Sequence, residues 1–305
     1  MKRFLVSMAL TTTLCLQPAC AEPEIGRYLG AEPPTFAEAS EAAEVLRKEL
    51  HDENVEGLAK LIGLNPQEIG TSDDFNERLT ELKDAADELF KLVEDSPDQR
   101  KIILGDLIWP FPFPLVKADG KWAFDTIAGL NEILDRRIGE NELEAINTAA
   151  NYVIAQTLYR DEDWDGDGVR EYAQMLRSPP GTMDGLYWPA EEQGIESPVG
   201  PFIIEAKAVT AKDSPTGYFG YRYRVLTKQG DNVSGGAYDY VINGNMIAGF
   251  ALIATPARYG ETGIMTFMIS HHGKIYEKDF GPETTEEAAK ITEFNPDKSW
   301  QMVEE

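Results

Sequence analysis

The spacing of apolar positions changes several times along the chain, and each change marks a different kind of element. Ala42, Val45, Leu46 and Leu50 fall at helical steps behind the cap candidate Thr35, and Val55, Leu58, Leu61 and Ile62 continue the habit. A longer stripe of Phe75, Leu79, Leu82, Ala86, Leu89 and Val93 recurs at steps of four and three behind Ser72 or Asp73, which predicts one helix with a core face. Over "WPFPFPLVKADGKWAFDT" the period drops to two, which predicts a hairpin about Asp119-Gly120 with Trp122 and Phe124 on the return strand. Pro110, Pro112 and Pro114 share one parity, so an extended chain would lack three N–H groups along one edge, and that edge is not fully paired.

Helical spacing returns with Leu143, Ile146, Ala150, Val153, Ile154 and Thr157 behind the capping pattern Asn141-x-x-Glu144, and this helix runs into a strongly acidic loop. Gly181 to Gly200 is rich in glycine and proline and predicts irregular chain. The last third alternates: "YFGYRYRVLT" reads as a strand, and hairpins are predicted about Asn243-Gly244 and His272-Gly273, with a short acidic helix near 284–291. The pattern predicts an α+β fold. An N-terminal unit over 22–135 has helices and a small sheet, and a unit over 136–305 packs a long helix on an antiparallel sheet.

Composition changes this picture at the N-terminus and in the charge. Lys2 and Arg3 precede an apolar run from Phe4 to Leu16, and Ala19-Cys20-Ala21 supplies small residues before Glu22, so 1–21 reads as a cleaved signal peptide. The run is too short to span a bilayer, and no later stretch approaches that length. Acylation of Cys20 is the rival reading, against which Gln17 and Pro18 stand at positions where such sites carry Leu and a small residue. Cleavage would remove both cysteines, leaving a periplasmic or secreted chain without disulfides that relies on core burial. A net charge of −25 repels nucleic acid and anionic headgroups and attracts cations.

The candidate chemistry lies in "YRDEDWDGDGVREYAQ", residues 159–174. Asp163, Asp165, Asp167 and Gly168 match the first half of the calcium-loop pattern D-x-D-x-D-G, with Val169 at the carbonyl position and Glu171 at the ninth. The twelfth position is Gln174 instead of a bidentate carboxylate, so the second half departs from the pattern. The rival reading is a solvated acidic turn. Six carboxylates offset only by Arg160 and Arg170 repel one another unless a cation neutralises them, which favours calcium. Trp164 stands between two of the aspartates, where a loop tip could display it to a partner. The three histidines form no evident site: His51 belongs to a helix, and His271 and His272 in a strand would face apart. No nucleophile elbow, zinc helix, phosphate loop or dinucleotide fingerprint occurs.

The blocks "RRIGENELEAI", "DGDGVREYAQ", "DGLYWP", "GYRYRVLT", "YDYVINGNMIAGFALIA", "YGETGIMTF" and "GKIYEKDFG" resemble domain-of-unknown-function family 2950, a family of bacterial exported proteins. From about Glu140 onward the chain is also similar to the soluble domains of pilins and pseudopilins, which implies a long helix on an antiparallel sheet and a calcium loop. It departs from them in having no prepilin cleavage site followed by a filament helix. The first unit loosely resembles cystatin-like or NTF2-like domains. The expectation is a non-enzymatic exported protein, Ca2+-ordered at its acidic loop, that meets an envelope protein or polymer. The rival expectation is a carboxylate-dependent hydrolase or glycan-binding protein acting on an envelope polymer.

Overall fold

The computed structural model describes residues 24–69, 73–190, 194–198 and 217–304. The signal segment 1–21, the cap candidate Ser72 and parts of the 181–200 stretch lie outside them. After a 3₁₀ turn over Glu24–Tyr28 come α1 (Ala39–His51), α2 (Val55–Ile62) and α3 (Asp73–Glu88). The cap of α1 is Glu38, three residues beyond the cap candidate Thr35. Glu41 Oε2 accepts from the backbone N–H groups of Ala37 and Glu38 at 3.2 and 3.5 Å, so the box is built from two glutamates. The α3 stripe also breaks early. Its last turn is closed by the Gly105 N–H, which bonds the carbonyls of Ala85 and Leu89 at 3.0 Å, and Val93 falls in a strand paired with Lys101.

That strand is β1 (Phe90–Ser96), followed by β2 (Gln99–Leu104), β3 (Trp109–Pro110), β4 (Leu115–Ala118) and β5 (Lys121–Phe124). They form one antiparallel sheet in the order β1-β2-β4-β5, with β3 also paired to β2. The β4–β5 hairpin turns at Asp119-Gly120 as the pattern predicts, both residues at positive φ. Against this sheet α1 and α2 bury Leu46, Leu50 and Leu61 with Ile102, Leu104, Phe113, Trp122 and Phe124. Trp122 is therefore a core aromatic.

The next helix, α4, runs from Thr126 to Tyr159 and is capped by Asp125, whose Oδ1 accepts the Ala128 N–H at 3.0 Å. Asn141 and Glu144 are consequently mid-helix and cap nothing. The Asn141 side chain instead donates to the Thr262 carbonyl at 2.9 Å, and its neighbour Glu142 accepts from the N–H groups of Ile264 and Met265 at 2.8 and 3.0 Å. The division at 135/136 falls within this helix.

Beyond α4 lie β6 (Met175–Arg177) and β7 (Gly185–Tyr187), a parallel pair, then β8 (Tyr221–Leu226), β9 (Lys228–Gln229), β10 (Tyr238–Asp239), β11 (Val241–Ile242), β12 (Asn245–Met246), β13 (Ala251–Pro256), β14 (Thr266–Ser270) and β15 (Ile275–Lys278). A one-turn 3₁₀ segment leads into α5 (Thr284–Lys290), and β16 (Gln301–Met302) closes the chain. The main sheet is antiparallel in the order β16-β15-β14-β13-β8. β11 and β12 pair across the two-residue turn Asn243-Gly244, with φ of 53° and 100°, the turn type its sequence demands. β14 and β15 pair across the His272-Gly273 turn. The fold is α+β, with α4 laid on β13, β14 and β15 through Ala149, Tyr152, Ala155 and Tyr159. Among the described residues no helix is long and apolar enough to cross a membrane.

Candidate functional site

The acidic loop begins where α4 stops, and its first anchor is a tryptophan. Trp164 Nε1 donates to the Tyr159 carbonyl at 2.7 Å, satisfying one of the helix's last acceptors, and its ring packs on Trp188 at 4.9 Å and Tyr159 at 6.0 Å. The ring faces inward, contrary to the expectation of a displayed tip. Its neighbours on either side, Asp163 and Asp165, are thrown outward by the same alternation.

The three aspartates then fold the chain around themselves. Asp163 accepts the Gly166 and Gly168 N–H groups at 2.9 Å each, Asp165 accepts Asp167 N–H at 3.2 Å, and Asp167 accepts Val169 N–H at 2.7 Å. Gly166 and Gly168 take φ of 76° and 87°, conformations that a side chain would strain, so the glycines of the motif are required by the turn. Asp163, Asp165 and Asp167 offer oxygens within 4.8 Å of one another, and they form the one group of three or more His, Cys, Asp or Glu among the described residues with ligand atoms so gathered. All three are exposed.

The other two predicted ligands are placed differently. Val169 sits in the same turn, its N–H used by Asp167. Glu171 is outside the gathered group: its Oε2 accepts the Met246 N–H on β12 at 2.7 Å. Gln174, at the twelfth position, donates to the Gly244 carbonyl at 2.6 Å, and Asp167 Oδ2 accepts from the Asn245 side chain at 2.6 Å. The loop is thus stitched to the β11–β12 hairpin by its fifth, ninth and twelfth positions.

The electrostatics divide along the same line. Partial loss of solvent would raise the Asp163 pKa, but the donors of Gly168 and Gly166 outweigh it and hold the carboxyl below the usual aspartate range. Burial pushes Glu171 above its usual range, and the charges of Asp165 and Asp167 push the same way. Among the described residues no Lys or Arg forms an ion pair with any carboxylate of 161–171. Arg160, one of the two arginines beside these carboxylates, instead stacks on Tyr172 and donates to its hydroxyl at 2.9 Å.

One residue that sequence reasoning missed holds the far side of the loop. Gln156, fully buried on α4, donates to the Ala173 carbonyl and accepts the Ala173 N–H, both at 2.8 Å. A Gln one position beside the apolar helix stripe carries no signal of this role until its partner is known. The histidines contribute nothing here. His51 meets Asp87 at 3.2 Å on the surface, and His271 and His272 follow β14 in a turn with tilted rings whose centroids are 4.1 Å apart, where a strand would have turned them to opposite faces.

No curated protein and no solved structure matches the chain. The model of one family, described as "Protein of unknown function (DUF2950)", matches residues 34–303, so that α1, the first sheet, α4, the acidic loop and the main sheet all fall within the match. The chain belongs to this family of unknown function, DUF2950.

Proposed function

We propose that the chain is an exported protein of the cell envelope with a binding or assembly role, in which a calcium ion orders the loop 163–171. The observation that carries this reading is the gathering of Asp163, Asp165 and Asp167 oxygens within 4.8 Å with, among the described residues, no cationic side chain in an ion pair with them. Three carboxylates so close repel one another, and a hard divalent cation is the partner that oxygen-only ligands at alternate positions suit. Val169 would add its carbonyl, and Glu171 would close the shell directly or through water after exchanging its bond to the Met246 N–H. Because Gln174 replaces the bidentate carboxylate, the affinity belongs with extracellular modules, at a Kd of about 10⁻⁴–10⁻³ M. Such a site fills where calcium is millimolar, which agrees with the leader-like residues 1–21. The ion's work is to hold the end of α4 and the β11–β12 hairpin as one surface for an envelope protein or polymer.

Calorimetric titration of calcium tests this, with a variant carrying Asp163→Asn, Asp165→Asn and Asp167→Asn beside the native chain. The expected outcome is binding heat that the variant lacks, with a higher melting temperature in millimolar calcium than in chelator for the native chain only. Absence of heat together with identical melts would leave the loop a solvated turn. Export is tested separately, by finding the protein in the periplasmic fraction with Glu22 as its first residue.

A further inference from the structure

β2 and β3 are joined by the residues Gly105, Asp106, Leu107 and Ile108, and this hairpin tip is composed unlike a turn. Leu107 is 89% exposed, Ile108 66% and Trp109 37%, three consecutive large apolar residues at the surface. Ile108 also holds φ at 57°, a left-handed conformation that a β-branched residue adopts only against steric resistance and that Gly or Asn would fill readily. Strain of this kind persists where the residue serves something other than the local fold.

We infer that this tip inserts into a neutral lipid surface. The size of the tip favours lipid over a protein partner, because three side chains are far fewer than the roughly 20–30 residues a side that a stable protein interface uses. A bilayer needs no complementary groove. The base of the tip carries the pair suited to the headgroup level: the Arg136 guanidinium lies 4.8 Å over the Trp109 ring and donates to the Pro110 carbonyl at 2.9 Å. Leu107 and Ile108 then project past it toward the acyl chains. The charge around the tip selects the headgroup. Asp106 stands in the turn, its N–H on Glu88 Oε2 at 3.4 Å, and the whole chain carries −25, so an anionic surface repels it and a zwitterionic one does not. A tip of this size makes a weak, reversible contact.

Co-sedimentation tests it, using the protein purified as cells process it and vesicles of phosphatidylcholine and phosphatidylethanolamine, or the same vesicles enriched in phosphatidylglycerol. The native chain is expected to sediment with neutral vesicles and less with anionic ones at low salt. Leu107→Ser with Ile108→Asn is expected to weaken partition by about tenfold or more. Ile108→Asn alone should keep or raise the melting temperature, since Asn accepts the left-handed backbone, so the loss cannot be assigned to unfolding. Absence of sedimentation, or equal sedimentation of native and variant chains, overturns the inference. So does a concentration-dependent dimer that Ile108→Asn abolishes, which would assign the tip to a second copy of the chain.

Discussion

Gln156 shows how much of this protein's organisation rests on single polar contacts. Its side-chain amide completes both backbone groups of Ala173, itself buried, and also donates to the Tyr152 hydroxyl at 2.9 Å. Replacing it by Leu keeps the volume and removes both partners of Ala173. Each buried group left unsatisfied costs about 1–3 kcal/mol, so Gln156→Leu is expected to lower unfolding stability by roughly 2–4 kcal/mol in urea titration. A loss below about 0.5 kcal/mol would mean that water replaces the amide. The aspartates of the loop were legible in the sequence because alternation and glycines encode a turn locally. Gln156 and Trp164 were not, since their partners lie on neighbouring turns or across the loop. Glu171 shows the limit of the motif: it stands at the ninth position of the pattern, but its carboxylate accepts the Met246 N–H.

At the level of elements, α4 is where the pattern misled most. The apolar spacing of Leu143, Ile146, Ala150, Val153, Ile154 and Thr157 points to a different face from the one that is buried. Leu143 is 64% exposed, and the buried stripe is Leu130, Leu134, Ile138, Ala145, Ala149, Tyr152, Gln156 and Tyr159. Ala145, Ala149 and Ala155 are buried along its second half, where α4 meets β13, β14 and β15, and alanines add little to an apolar pattern that is read from large side chains. The hairpins at 119–120, 243–244 and 272–273 were legible because turn chemistry is local. The β1–β2 pair was not, since nothing in "LFKLVEDSPDQRKIIL" separates the end of a helix from the start of a strand by period alone. The close packing of α4 gives a prediction with an unusual sign. Gly-to-Ala in a helix normally stabilises by about 1 kcal/mol. At Gly129 the added methyl would fall on the Phe113 ring, which the first core holds in place. Gly129→Ala is therefore expected to destabilise by about 1–3 kcal/mol, read from the shift of the denaturation midpoint. A stabilised variant would show that Phe113 can move aside.

For the whole molecule, α4 is the element that joins a first core to two others. The first gathers residues up to Leu130, and the others begin at Ala145 and run to Phe294. Arg136 reaches back to the Pro110 carbonyl, whereas Arg137 reaches forward to the Glu261 carbonyl, so adjacent residues of one helix hold opposite units. Gly139 lies just beyond them, and a methyl there would meet no atom within 4 Å outside its own helix. A substitution at 139 consequently acts on the connecting helix alone. Gly139→Ala is expected to stabilise it by up to about 1 kcal/mol, while Gly139→Pro removes a helical hydrogen bond and costs about 3 kcal/mol. If α4 is what makes the two units melt together, the proline variant should unfold in two calorimetric transitions where the native chain shows overlapping or single ones, and the alanine variant should keep the native shape at a higher temperature. A proline variant that still melts in one transition, merely displaced downward, would make residues 24–304 a single cooperative block and deny the 135/136 division any meaning for folding.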